Sequence, residues 1–392
     1  MKKFIYLCGM MLLCLNMMAQ IDLNDKNWDT VFIEDFSGVR SWNSQWKDQQ
    51  DIQNYSSIWR CYMYEYWYCG ATTDSIEHQA YRPENALFGS DQTMKLKGEL
   101  HSQDAMWCGI DYDPAPLPHH CDSVHLQHKS IHYYSGMIET INPVGFGYYE
   151  IECKMPIHIG ACSAFWFWSN LGGTYNEIDV FEHSKSLCSD DNLIDKETIS
   201  GIWYNPDGTN YIPMNGNNGA QRHASKRYVL PGTSATLEEY HTYSCLWLPE
   251  KVVFYVDGNI VNKCDNPEHI PQFPMRFKIT HLEDDDAIIG YDENNHPIWG
   301  NWNDEMTINY AKGYRLKTDC NTDVTIRSIA DFSNYDYSVK HSITMGAQVG
   351  VLTLPNDGTY TMRAVESITI DGGFEVPAGT ELTLITQECP QW

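Results

Sequence analysis

The run Asn176-Glu177-Ile178-Asp179-Val180-Phe181-Glu182-His183 constrains this chain more than any other stretch. Its carboxylates are interleaved with β-branched and aromatic residues, the composition of a strand. Side chains alternate along a strand, so Glu177 and Asp179 share one face while Ile178 and Val180 pack into a core on the other. Glu182 is one residue out of phase. A single β-bulge between Asp179 and Glu182 restores the phase, and it lets Val180 and Phe181 both lie on the apolar side. The outer glutamates then stand about four strand positions, ~13 Å, apart at the backbone. Their side chains can close that gap by leaning over the shorter Asp179.

Carboxyl groups brought to about 5–6 Å have the spacing at which one serves as nucleophile and the other as acid/base in retaining glycoside hydrolysis. The spacing alone leaves a solvated strand face open as the alternative, because Glu-x-Asp-x-x-Glu also arises by chance in acidic chains.

The flanking residues decide between these. They resemble glycoside hydrolase family 16, in the branch with a bulged catalytic strand typified by laminarinases, agarases and endo-galactanases. The resemblance runs through Val31-Phe32-Ile33-Glu34-Asp35-Phe36-Ser37-Gly38, the segment from Gly147 to Pro156, and Ala164-Phe165-Trp166-Phe167-Trp168. It continues at His241-Thr242-Tyr243 through Trp247, at Phe254-Tyr255-Val256-Asp257-Gly258 and at Met306-Thr307-Ile308-Asn309-Tyr310. It implies an all-β fold, a concanavalin A-like β-sandwich jelly roll with the acids on the concave sheet. By the same resemblance Glu177 is the nucleophile, Glu182 the acid/base and Asp179 the residue that orients them. Asn85, in Tyr81-Arg82-Pro83-Glu84-Asn85-Ala86, is expected to line the cleft. Trp166 and Trp168, which share a face, and Trp203, which replaces a histidine common in relatives, are the expected substrate-binding residues.

No cofactor is required by this chemistry. The resemblance leaves a structural calcium open, and Asn309, standing where relatives often carry a calcium-binding aspartate, weakens that expectation.

At its start, Lys2 and Lys3 precede an apolar run from Phe4 to Leu15 that ends at Ala19, the pattern of a secretory signal peptide over residues 1–19. The run is too short to span a bilayer, and the expected product is secreted, periplasmic or surface-held, without a membrane span. With 52 acidic against 26 basic residues the net charge is −26, which makes nucleic acid and anionic membrane poor partners and weakly disfavours a densely sulfated glycan. The 13 tryptophans and 25 tyrosines supply flat rings for stacking on sugars as well as for the core. The chain is taken as a monomer.

From Ile21 to about Thr318 short strands alternate with Gly, Pro, Asn and Asp clusters, and no long amphipathic helix interrupts them. Residues 20–318 read as one catalytic β-sandwich with insertions. One insertion sets Tyr62, Tyr64, Tyr66 and Tyr68 on one side of an extended segment, either a groove wall or an edge strand. Another, Pro114 to His132, holds His119, His120, His125, His128 and His132; histidines in this number raise a zinc site as the alternative, and the lack of metal-type spacing favours a polar surface loop. Residues 319–392 form a small β module in which Ser342-Ile343-Thr344-Met345 is echoed by Ser367-Ile368-Thr369-Ile370. Removing Cys8 and Cys14 with the leader leaves an odd number of the 13 cysteines, and Cys320 and Cys389 bracket the module where a disulfide could close it. Cys61 and Cys69 share a strand face and cannot reach each other unless the segment folds back.

Overall fold

The computed structural model describes residues 28–37, 58–60, 79–81, 83–100, 105–108, 126–129, 133–169, 175–205, 221–232, 234–283, 288–293, 297–332, 339–356 and 359–390. The expected leader, Cys61 and Cys69, the tyrosine stripe at 62–68, and His119, His120, His125 and His132 lie outside them.

Two antiparallel layers form the main body. One runs in the order Gln221–Val229, Glu197–Asn205, Tyr175–His183, Ala161–Ser169, Arg276–Glu283 and Tyr133–Thr140. The other runs Met94–Leu100, Asn303–Leu316, Gly147–Lys154, His241–Leu248, Lys251–Val256 and Asn259–Cys264. Tyr133–Thr140 belongs to both: Tyr133 and Tyr134 pair with Met94–Leu100, while Gly136 to Glu139 pair with Arg276–Glu283. All of its residues are therefore buried, and it forms the corner at which the layers join. At the opposite edge Asn262 ties the layers together, donating to Ser200 Oγ at 3.0 Å and to the Ala224 carbonyl.

The alternation that makes each strand also makes the core. In Gly147–Lys154 every second residue is buried, which turns Tyr149, Ile151 and Cys153 inward. Phe165 and Phe167 come from the facing layer and meet Phe277 at ring-centroid distances of 4.5 and 5.5 Å, with Tyr149 5.0 Å from Phe167. Edge-on and tilted aromatic packing of this kind adds about 0.5–1.5 kcal/mol per pair beyond area burial. Trp59 joins this core from the short strand Trp59–Arg60, which pairs with the corner strand at Thr140 and Glu139.

Beyond Leu316 the pairing turns parallel. Thr318–Asp319, Val339–Met345, Thr359–Ile370 and Glu381–Thr386 lie side by side, and Leu352–Thr353 pairs with Phe374–Glu375 in a second small parallel sheet. Successive circuits of the chain thus stack as rungs. The repeated tetrapeptides are direct neighbours, Ser342 opposite Ser367 through Met345 opposite Ile370. Cys320 and Cys389 form a disulfide with Cα atoms 5.9 Å apart. The rungs have their own small core around Ile326, Ile343, Met345 and Met362. Val339 joins the main core instead, and buried Arg363 contacts Glu250 of the sandwich.

Candidate active site

The strand Tyr175–His183 carries the expected bulge. Against Glu197–Asn205, Asp179 faces Gly201 and Glu182 faces Ile199, with the register shifting between them. Against Ala161–Ser169, Trp166 faces Asp179 and Phe165 faces Phe181, so Val180 is the unmatched residue. Ile178, Val180 and Phe181 all sit in the core. The extra residue turned inward is what leaves Glu182 on the outer face with the other two acids. On the partner strand Glu177 faces Trp203 and Glu182 faces Ile199, so the glutamates are four positions apart.

Register then assembles the site in rows across five strands. The first row reads Arg222, Trp203, Glu177, Trp168, Arg276, and the second Gly201, Asp179, Trp166, Lys278, Glu139. The third brings Glu182, Ala164, Thr280 and Met137 into line. The three acids, Trp166, Trp168 and Trp203 therefore share one face. Trp166 donates to Thr280 Oγ1 at 3.2 Å, and the Lys278 ammonium lies 4.9 Å from its ring centre and 5.3 Å from that of Trp168. Lys278 is itself held by Glu139 at 3.1 Å, an ion pair that anchors both rings from below.

Sequence reading overlooked the cations here. Alternation in Arg276-Phe277-Lys278-Ile279-Thr280 already set Lys278 and Thr280 on the polar face. Arg222 carried no such signal, because its importance comes from a cross-strand neighbour. Its guanidinium lies 5.2 Å from the Trp203 ring centre and reaches Glu182 Oε2 at 3.2 Å. Gly201 stands in the row between, where an added Cβ would already touch Arg222 Nε at 3.4 Å, so a larger side chain would block that path.

Asp179 lies between the glutamates on that face and is 2% exposed, with Oδ2 lacking a hydrogen-bond partner among the described residues. Burial first, then the charges of Glu182 and Glu177, push its ionisation well above the ordinary aspartate range, against the pull of Arg222 and the Trp203 side chain. Burial also raises Glu177 to about 8, with Glu182 adding to the rise. Opposing it are the Tyr175 hydroxyl, which donates to Glu177 Oε2 at 2.6 Å, and the charges of Lys278 and Arg222. Burial raises Glu182 as well, and Arg222 opposes it. Three acids shifted upward together ionise as a coupled set. Of the three, Glu177 has the most groups favouring its charged form, a hydroxyl donor and two cations.

Asn85 stands apart from this face and corrects the expectation that it lines the cleft. It is fully buried, and its amide donates to the Lys97 and Tyr134 carbonyls at 3.0 and 3.2 Å. Its own carbonyl packs so closely on the corner strand that a Cβ at Gly136 would lie 2.5 Å away. Asn85 closes the joint between layers. Asn309 is exposed on the second layer, and its amide donates to Glu152.

A family model for glycosyl hydrolases family 16 matches residues 110–312. Among curated relatives, the kappa-carrageenase of Pseudoalteromonas carrageenovora is 28% identical over 50% of this chain and 46% of its own length. An endo-1,3-1,4-beta-glycanase of Rhizobium meliloti is 28% identical over 48% of this chain and 34% of its own length. The chain thus spans less than half the length of these relatives. Among solved structures, the Bacillus licheniformis beta-glucanase superposes with a TM-score of 0.43 at 18% identity, covering 72% of this chain and 97% of that one. The kappa-carrageenase in complex with a carrageenan oligosaccharide gives 0.46 at 18% identity, covering 76% and 99%.

Proposed function

This chain belongs to glycosyl hydrolases family 16, and on that premise we propose that it is an endo-acting retaining β-glycosidase using Glu177 as nucleophile and Glu182 as acid/base. The single observation that carries the reading is the convergence of Glu177, Asp179 and Glu182 on one face through a bulge that turns Val180 inward. In the first step Glu177 attacks the anomeric carbon while Glu182 donates its proton to the departing glycosidic oxygen. In the second Glu182 takes a proton from water as that water displaces Glu177 from the sugar. The raised ionisation of Glu182 supports its role as the acid that starts protonated. Asp179, between the two, shares a proton with Glu177 and aims it. Trp166, Trp168 and Trp203 offer ring faces for the sugars on either side of the cleaved bond.

The substrate class we infer is a β-linked glucan, or a galactan or poly-N-acetyllactosamine glycan, met outside the cytoplasm. Lys2, Lys3 and the apolar run behind them support export. Among the described residues no helix is long and apolar enough to cross a membrane.

A non-catalytic carbohydrate-binding protein on the same sandwich would have no use for three crowded carboxylates, whose burial and mutual repulsion cost stability. Incubation with β-glucans, galactans and mucin-type glycans, followed by assay of new reducing ends and proton NMR of the first product, tests the proposal. Cleavage with the β-anomer appearing first is expected. An α-anomer appearing first would exclude the two-step mechanism, and glycan binding without cleavage would favour the rival.

A further inference from the structure

A second set of chemistry-bearing side chains lies on the core-facing side of the acid-bearing layer, away from the cleft. His158, in the segment after Gly147–Lys154, Glu283, at the end of Arg276–Glu283, and Asp304, near the start of Asn303–Leu316, meet there. One donor atom from each lies within 4.8 Å of the others. Register sets Glu283 opposite Ala161 and His281 opposite Ser163, on the face opposite to Lys278 and Thr280. No step proposed for the acids uses them.

Several features point to one occupant. The His158 Nδ1 lies 2.9 Å from the Ile159 carbonyl oxygen, which only accepts, so Nδ1 carries a hydrogen. Nε2 faces Glu283 Oε1 at 3.4 Å and Asp304 Oδ2 in close contact; these carboxylates only accept, so without an ion Nε2 carries the proton that a metal would displace. That orientation is the one a metal-binding imidazole adopts. The ring is fixed by stacking on Trp302, with centroids 4.4 Å apart and planes 19° from parallel. Ligands about 2.1 Å from a tetrahedral ion stand ~3.4 Å from one another, as His158 and Glu283 do, and Asp304, in closer contact with His158, would draw back to admit the ion.

Behind these groups is a supporting layer. His281 Nε2 lies 2.9 Å from Asp304 Oδ1, and Ser163 Oγ lies 3.0 Å from His281 Nδ1. The carboxylate only accepts, so His281 donates from Nε2 to Oδ1 and leaves Oδ2 of Asp304 facing the shared centre. Room for the centre comes from Gly98 on the neighbouring strand. A Cβ there would lie 2.8 Å from Glu283 Oε1, 3.0 Å from Asp304 Oδ1 and 3.2 Å from His281 Nε2.

We propose that His158 Nε2 and one carboxylate oxygen each from Glu283 and Asp304 bind a single divalent transition-metal ion of the zinc class, with water completing the shell. One nitrogen and two oxygens suit zinc, and three protein ligands leave one position open. The site clamps the segment that leads into Ala161–Ser169, the strand bearing Trp166 and Trp168, onto both layers of the sandwich.

The test uses untagged full-length protein stripped with a chelator and titrated with zinc chloride by calorimetry, and separately with cobalt chloride followed in the visible. One equivalent of zinc is expected, with a rise in thermal midpoint and, for cobalt, the intense d–d absorption of a low-coordinate site. His158→Ala should lose that equivalent. Gly98→Ala crowds the side-chain ends of Glu283, Asp304 and His281 without meeting backbone, so it should fold and bind zinc at least tenfold more weakly, which keeps the test decisive if His158→Ala fails to fold. Absence of uptake by the wild-type protein would overturn the proposal and leave an imidazolium between two carboxylates. Equal uptake by wild type and both variants would place the bound ion elsewhere and overturn it as well.

Discussion

At the scale of single residues, the acid cluster is governed by what opposes burial. Arg222 holds Glu182 by a charge-assisted contact and so stabilises its ionised form, the form unable to protonate a leaving group. Arg222→Met should raise the ionisation of Glu182 further, and the basic limb of the kcat/KM profile should move to higher pH by roughly a unit or more. An unmoved basic limb would mean that Glu182 is not the group whose deprotonation ends activity. Asp179→Asn should have two separable effects. The folded protein holds Asp179 far above its unfolded value near 3.8, so at neutral pH folding must keep a proton that the unfolded chain has lost. Asparagine removes that cost, and thermal midpoints should show a gain at pH 7 that disappears below about pH 4, where both states are protonated. Activity should fall at every pH, since the proton that Asp179 shares with Glu177 is gone.

At the scale of the element, the bulge is a count of residues, and counting makes it testable. Deleting Val180 leaves Ile178 and Phe181 inward and Glu177, Asp179 and Glu182 outward in a regular alternation, still four positions from first to last. The variant should lose the burial of one valine, about 1.5–3 kcal/mol, and keep measurable turnover. Inserting one alanine after Val180 instead restores alternation with Glu182 outward but six positions from Glu177, too far for the carboxyls to meet, and should abolish turnover. Turnover and thermal midpoint measured on both variants check this, and equal loss of activity in the two would show that the exact bulge geometry, rather than the spacing, matters.

At the scale of the whole molecule, the sandwich and the rungs depend on different devices. The Cys320–Cys389 bridge spans 69 residues of a small module, a loop whose closure contributes roughly 4 kcal/mol in the chain-entropy account. Cys389→Ser should lower the unfolding temperature of the rungs and leave turnover at moderate temperature unchanged, because no site residue comes from them; calorimetry and assay on one preparation check this. Acid should attack the sandwich through His183. This residue follows Glu182, points to the interior and accepts burial at the cost of an ionisation pushed down to about 4, the Glu197 carbonyl lying 2.9 Å from Nδ1. The unfolded chain protonates it near 6.5, so stability present above that pH is lost as pH falls toward 4, by up to about 3 kcal/mol. His183→Gln should flatten that slope in denaturant titrations at pH 7 and pH 5.

The alternation of acids and apolar residues from Glu177 to Glu182, the bulge that repairs its phase, and the shared face of Trp166 and Trp168 were all legible in the chain, because each rests on the two-residue period of a strand; the pairing of the repeated tetrapeptides was not. Asn85 was misplaced because its surroundings come from the corner strand and from Lys97, neither of which its own segment reveals. Arg222 and the meeting of His158 with Glu283 and Asp304 were likewise invisible, since they bring together residues as much as 146 positions apart. Local sequence determined which way each side chain points along its strand. Only the tertiary structure decided which strands became neighbours, and therefore which charges share one buried, weakly screened space.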